Sequence, residues 1–172
     1  PFGIGGIVDP KVRTRARERG LAQVVHDDPG EAVKGADLVV LCVPVGAMGA
    51  VAEEFVADLP AGAVVSDVGS CKQSVVEALA AVLPNATIIP AHPVAGTEKS
   101  GPDAGFATLF KGRWCILTPA EDAPEAAVEA LRTFWQRLGA EAQTQRCRDD
   151  VGLREATQRV GELPPGAGEE GE

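Results

Sequence analysis

Ser66-Asp67-Val68-Gly69-Ser70-Cys71-Lys72 and, further on, Ile89-Pro90-Ala91-His92-Pro93-Val94-Ala95-Gly96-Thr97-Glu98-Lys99-Ser100-Gly101 decide how this chain folds. Each follows an apolar run, Ala63-Val64-Val65 in the first case and Ala86-Thr87-Ile88 in the second, and each breaks off into small, polar and ionisable residues. Nearly continuous aliphatic runs mark strands buried on both faces, and in an open α/β sheet such strands empty into a ligand crevice at their carboxyl ends. His92 stands 22 residues after Ser70, the length of one helix plus a return strand. The spacing therefore predicts a hydroxyl and an imidazole at neighbouring strand ends.

Both residues also have a purely structural reading. Ser70 with Gln73 three residues later forms a capping box, which accounts for the serine by itself. A histidine behind an apolar strand is commonly a satisfied structural residue. Its neighbours argue for more: Pro93, Gly96, Gly101 and Pro102 make a stiff turn, a costly way to hold a group whose direction is immaterial. An imidazole, with an ordinary pKa of about 6.5, is also the side chain best suited to accept a proton near neutral pH.

Strand-like and helix-like segments alternate along the rest of the chain. Helical spacing is expected over 11–19, stopped by Gly20, over a short stretch at 30–34, and over 47–59 with Met48, Val51, Phe55 and Val56 near one face and Pro60 closing it. A further helix starts at Ser70, carries Val75, Val76, Leu79 and Val82, and ends at Pro84. The last spans 124–138 with a stripe of Ala127, Leu131, Phe134 and Leu138. Strands are expected at 23–25, 36–43, 63–67, 86–91 and 114–119, with a small edge strand from Ala140. The pattern is α/β: a Rossmann-like, doubly wound, mostly parallel sheet.

Gly3-Ile4-Gly5-Gly6-Ile7-Val8 ends in Asp9-Pro10. A strand ending in an acidic residue is what a dinucleotide-binding fold uses to accept ribose hydroxyls; Asp9 equally suits the cap of the next helix, with Pro10 at its first position. A Rossmann unit places a strand, a G-x-G-x-x-G turn and a helix before such an acidic residue. Only eight residues precede Asp9 here, so the first strand and the Gly-rich loop are expected to be missing. The expected organisation is a partial dinucleotide-binding domain over 1–145 and a poorly structured tail over 146–172, whose Gly-, Pro- and Glu-rich end has little to bury.

Composition narrows the class. A chain of 172 residues with 45% hydrophobic content can bury one ordinary core. A formal charge of −9 argues against a nucleic-acid surface, although Lys11, Arg13, Arg15, Arg17 and Arg19 crowd one segment, as on a wet helix face. No apolar stretch is long enough to span a bilayer, and a cytoplasmic location is the default. Cys42, Cys71, Cys115 and Cys147 are too far apart for a C-x-x-C pair, and no metal site is expected. Cys42 and Cys115 read as small buried hydrophobes, Cys71 as a bystander beside Ser70, His26 as a loop residue without a role, and Trp114 and Trp135 as core.

Asp67-Val68-Gly69-Ser70-Cys71-Lys72 and His92-Pro93-Val94-Ala95-Gly96-Thr97-Glu98-Lys99-Ser100-Gly101 resemble the paired signatures of the prephenate/arogenate dehydrogenase family of tyrosine biosynthesis. The resemblance runs from about Gly6 to Ala142. It implies oxidative decarboxylation of prephenate or arogenate with NAD as acceptor, His92 as the base that takes the hydroxyl proton, and Ser70 orienting it and helping to place the nicotinamide. It implies that Asp9, Val43 and Pro44 lie along the cofactor, and that Thr97, Lys99 and Ser100 form the substrate rim. Asp9 favours NAD, whereas nearby Lys11 and Arg13 leave NADP open. Members of the family are usually homodimers through a helical domain that is not recognisable in residues 146–172, which puts the activity of this chain by itself in question. Two other readings remain: a β-hydroxyacid type of Rossmann dehydrogenase, and a catalytically silent fragment or interaction module.

Overall fold

A strand covered on both faces must serve two cores at once, because successive side chains leave it on opposite sides. The computed structural model, which describes residues 3–4, 10–96 and 101–145, shows this at strand β4 (Val64–Asp67), all four residues of which are buried. Val65 packs with Leu41, Met48, Phe55, Val75 and Leu79. Val64, one residue earlier, packs with Ile89, Cys115, Leu117, Val128, Leu131 and Trp135 on the other side. Layers of helix, sheet and helix result from that alternation.

The strands before β4 are β1 (Gly3–Ile4), β2 (Val24–Val25) and β3 (Leu38–Leu41); those after it are β5 (Thr87–Ile88), β6 (Ala91–Pro93), β7 (Trp114–Leu117) and β8 (Glu141–Thr144). The helices are α1 (Pro10–Glu18), α2 (Pro29–Val33), α3 (Met48–Glu53), α4 (Lys72–Val82) and α5 (Glu125–Arg137). β1 pairs with β2, β3 with β4, β4 with β5 and β7 with β8, all parallel, and β6 pairs with β7 antiparallel. The expected Rossmann-like, mostly parallel α/β architecture is the one observed.

β5 and β6 are one run of chain interrupted at Ile89-Pro90. The Ile89 N–H still donates to Val65 O at 2.9 Å and Pro90 O accepts from the Thr118 N–H at 2.9 Å, but Pro90 has no N–H to continue the ladder. Pairing passes there from β4 on one side to β7 on the other, and the carbonyl end of β4 is left beside Ala91 and His92.

Several boundaries depart from the sequence reading. The helix expected over 47–59 is a 3-10 turn, Val45–Ala47, and then α3, which ends at Glu53. Glu54, Phe55 and Asp58 donate to carbonyls three residues back, so the chain tightens into turns while Phe55 still reaches the core. On α5 the buried line is Val128, Leu131 and Trp135; Leu138, expected on that stripe, is exposed, because the helix has ended. Trp135 is buried as expected, with Phe110 edge-on to it at 5.2 Å and Phe134 at 5.4 Å. Cys115 is buried as expected, but Cys42 is exposed, lying just past the end of β3 where the chain leaves the sheet. Among the described residues no helix is long and apolar enough to cross a membrane. The tail over 146–172 lies outside the described residues.

Candidate functional site

Leu41 of β3 is in register with Asp67 of β4, so the segments leaving the two strands meet at one edge of the sheet. After β3 come Cys42, Val43 and Pro44; after β4 come Val68, Gly69 and Ser70. Val43 is half-buried against the core, and exposed Pro44 caps the Val45–Ala47 turn. A Cβ on Gly69 would stand 2.9 Å from Val45 Cγ2 and 3.1 Å from Asp67 Oδ2. Only glycine lets the two turns approach this closely.

Ser70 is exposed at this edge, with its Oγ 4.0 Å from Cys71 Sγ. It is not the cap that the spacing predicts. α4 starts at Lys72, its N-cap is Cys71, and no side chain caps it. The capping box fails because the helix begins one residue late, which moves Ser70 out of line with the first turn.

The side chain that organises this edge is Asp67. Its Oδ2 accepts the Gly69 N–H at 2.7 Å and the Lys72 ammonium at 2.5 Å, and its Oδ1 accepts the Ala91 N–H at 3.2 Å. Three donors around one buried group suit an ionised carboxylate. Lys72 Nζ also donates to Ala91 O at 2.6 Å. Burial pushes the Lys72 ammonium below its ordinary pKa, and the Asp67 carboxylate opposes that shift. Sequence reasoning assigned neither residue a role, although both stand in the quoted motif. The available signal was an aspartate closing an all-buried strand with a lysine in the first helical turn after it.

His92 comes directly after Ala91. It is half-buried between buried Ala91 and Pro93, opposite Ile116 of β7. Its Nδ1 is shielded from solvent and has no hydrogen-bond partner among the described residues, so no bond joins it to Ser70 Oγ. Burial lowers its pKa from the ordinary 6.5, the Lys72 cation lowers it further, and Asp67 pulls the other way. The imidazole is therefore neutral at pH 7 and able to accept a proton. The nearby Cys115 thiol is pushed up to about 12 by burial and stays protonated.

The structure thus brings Val43, Pro44, Ser70 and His92 to one end of the sheet. Asp9, Thr97, Lys99 and Ser100 lie outside the described residues. A nicotinamide dinucleotide fits this edge on the grounds of its chemistry: an exposed hydroxyl on Ser70, and a shielded imidazole Nδ1 on His92 without a hydrogen-bond partner among the described residues.

The family described as prephenate dehydrogenase, nucleotide-binding domain, matches residues 4–144. The chain is 48% identical over 128 residues to a cyclohexadienyl dehydrogenase of Zymomonas mobilis, an alignment covering 74% of this chain and 44% of that protein. It is 36% identical over 110 residues to a prephenate dehydrogenase of Bacillus subtilis, covering 63% and 30%. The chain therefore spans less than half the length of these relatives. Among solved structures, prephenate dehydrogenase from Aquifex aeolicus in complex with hydroxyphenyl propionate and NAD+ superposes with a TM-score of 0.74 at 24% identity, covering 84% of this chain and 50% of that one. Synechocystis arogenate dehydrogenase gives a TM-score of 0.73 at 22% identity, covering 91% and 69%. At those identities the superpositions speak for the fold.

Proposed function

The chain belongs to the prephenate dehydrogenase family, through its nucleotide-binding domain, and we propose that it is the NAD-binding, base-bearing part of an enzyme that oxidises and decarboxylates prephenate or arogenate. The observation that carries this reading is His92: a neutral imidazole in the middle of β6, where the spacing predicts a strand end, with its Nδ1 lacking a hydrogen-bond partner among the described residues. Family membership sets aside the β-hydroxyacid reading. NAD, when bound, supplies the acceptor for the hydride.

The residues divide the remaining work. His92 takes the proton of the ring hydroxyl as the hydride leaves the carbon bearing it, and loss of the ring carboxylate as carbon dioxide then restores aromaticity. Aromatisation drives the reaction, so the protein chiefly positions the reactants. Ser70, exposed beside Cys71, holds the nicotinamide side of the crevice. Val43 and Pro44 line the cofactor and Asp9 accepts the ribose hydroxyls, which favours NAD over NADP because a carboxylate repels a 2′-phosphate. Thr97, Lys99 and Ser100 form the substrate rim. Residues 1–145, which hold the family match over 4–144, make up the dinucleotide-binding domain. A homodimer is the assembly to expect of the enzyme, and unpaired Cys42, Cys71 and Cys115 suit the reducing cytoplasm.

The direct test is production of NADH by the purified protein with NAD and each of the two substrates. His92→Asn should lower turnover by about 10²–10⁴-fold with NAD affinity intact. Undiminished turnover in that variant sinks the assignment.

A further inference from the structure

Two oppositely charged side chains lie out of solvent next to His92, and the proposed chemistry leaves both unused. Lys72 and Asp67 have side-chain exposures of 1% and 0%, so neither touches a ligand in the crevice. We propose that Lys72 and Asp67 are positioning residues, a buried ion pair that grips the peptide ahead of His92 and sets the charge its imidazole meets. This rests on the reading of His92 as the proton acceptor.

The grip is visible in the hydrogen bonds. Ala91, the residue before His92, gives its N–H to Asp67 Oδ1 at 3.2 Å, and its carbonyl accepts from Lys72 Nζ at 2.6 Å. Both polar groups of Ala91 are thus held by side chains of β4 and α4, at the point where Pro90 has broken the ladder. Asp67 also accepts the Gly69 N–H at 2.7 Å, so one carboxylate joins the loop carrying Ser70 to the strand carrying His92.

Stability alone gives little reason for such a pair. Taking two charges out of water is costly, and apolar replacements of similar volume are often as stable or more so. What an apolar pair cannot do is present a cation and an anion to a neighbouring imidazole. Lys72 from α4 disfavours the imidazolium and Asp67 from β4 favours it. From β7, Cys115 remains a neutral thiol and Ile116 is apolar, so among the described residues the balance at His92 belongs to the pair.

The chain has two histidines, His26 and His92, so a His26→Asn background leaves one imidazole to follow by NMR titration of the whole protein. Its midpoint should lie below 6.5. Lys72→Met should raise it and Asp67→Asn should lower it, each by about half a pH unit or more, while Lys72→Arg, which keeps the cation, should stay near the parent. A rearranged fold would move both variants the same way; opposite shifts are the mark of charge. If Lys72→Met does not fold, Asp67→Asn decides alone: an unchanged or raised midpoint overturns the proposal, as do shifts of one sign in the two variants. The acidic limb of the kcat/KM profile should move with each titration. Opposite NMR shifts with a stationary limb would support the pair's hold on His92 while overturning His92 as the base, so the two failures are separable.

Discussion

His92 is neutral at pH 7 because folding removes it from water and sets Lys72 beside it, and that has a consequence for stability. Above pH 6.5 the imidazole is uncharged in both folded and unfolded chains. As pH falls through 6.5 the unfolded chain takes up the proton first, so stability should drop until the lowered folded pKa is passed and then level off. Urea midpoints measured between about pH 7.5 and 5 should show this decline, and His92→Asn should flatten it; an unaltered slope in the variant would assign the decline to other groups. Gly69 gives a second test at this scale. An added methyl would press on Val45 Cγ2 at 2.9 Å and Asp67 Oδ2 at 3.1 Å, so Gly69→Ala should cost about 1–3 kcal/mol in urea unfolding and weaken NAD binding by displacing the loop before Ser70. His92 and Ser70 stood out in the sequence as candidates because their side chains interrupt apolar or glycine-rich surroundings. The Asp67–Lys72 pair was not, since two charges five residues apart ordinarily face water and only the packing of α4 over the end of β4 buries them.

Strands β3, β4 and β7 were legible as continuous aliphatic runs, because a strand buried on both faces leaves no polar alternation. The division of β5 from β6 was not: Pro90 sits inside an apolar run, and its missing N–H matters only once the neighbours on each side are known. Apolar spacing likewise overstated α3, since Phe55 reaches the core from a turn as well as from a helix. Helix α5 shows the same limit on its stripe, where Phe110 and Phe134 edge onto Trp135 and make the tryptophan its centre. Leu131, on that buried line and 1% exposed, should cost about 2–5 kcal/mol on replacement by alanine. Leu138→Ala, at 40% exposure, should fall within about 0.5 kcal/mol of the parent. Thermal or urea unfolding of the two variants compares a buried with an exposed leucine, and equal losses would place the register of α5 elsewhere.

Among the described residues the sheet separates two cores that share no side chain, one under α3 and α4, the other under α5. Their common wall is the backbone of β3, β4 and the strands beyond, and β4 feeds both through Val65 and Val64. Val75 on α4 and Val128 on α5 are each 0% exposed and belong to opposite cores. Replacement of either by alanine should cost about 2 kcal/mol. Because a layer of backbone lies between them and no partner is shared, the losses should add in the double variant to within about 0.5 kcal/mol. Unfolding should nonetheless remain one transition, since neither core can lose its helices and leave β4 covered. Two separate transitions would mean that each face of the sheet holds without the other. A coupling above that margin would mean that strain passes through β4, and His92, fixed to the end of β4 through Asp67 and Ala91, would then feel substitutions in either core; the titration midpoint of its imidazole in the two single variants is the measurement that distinguishes a shared strand that transmits strain from one that only divides the cores.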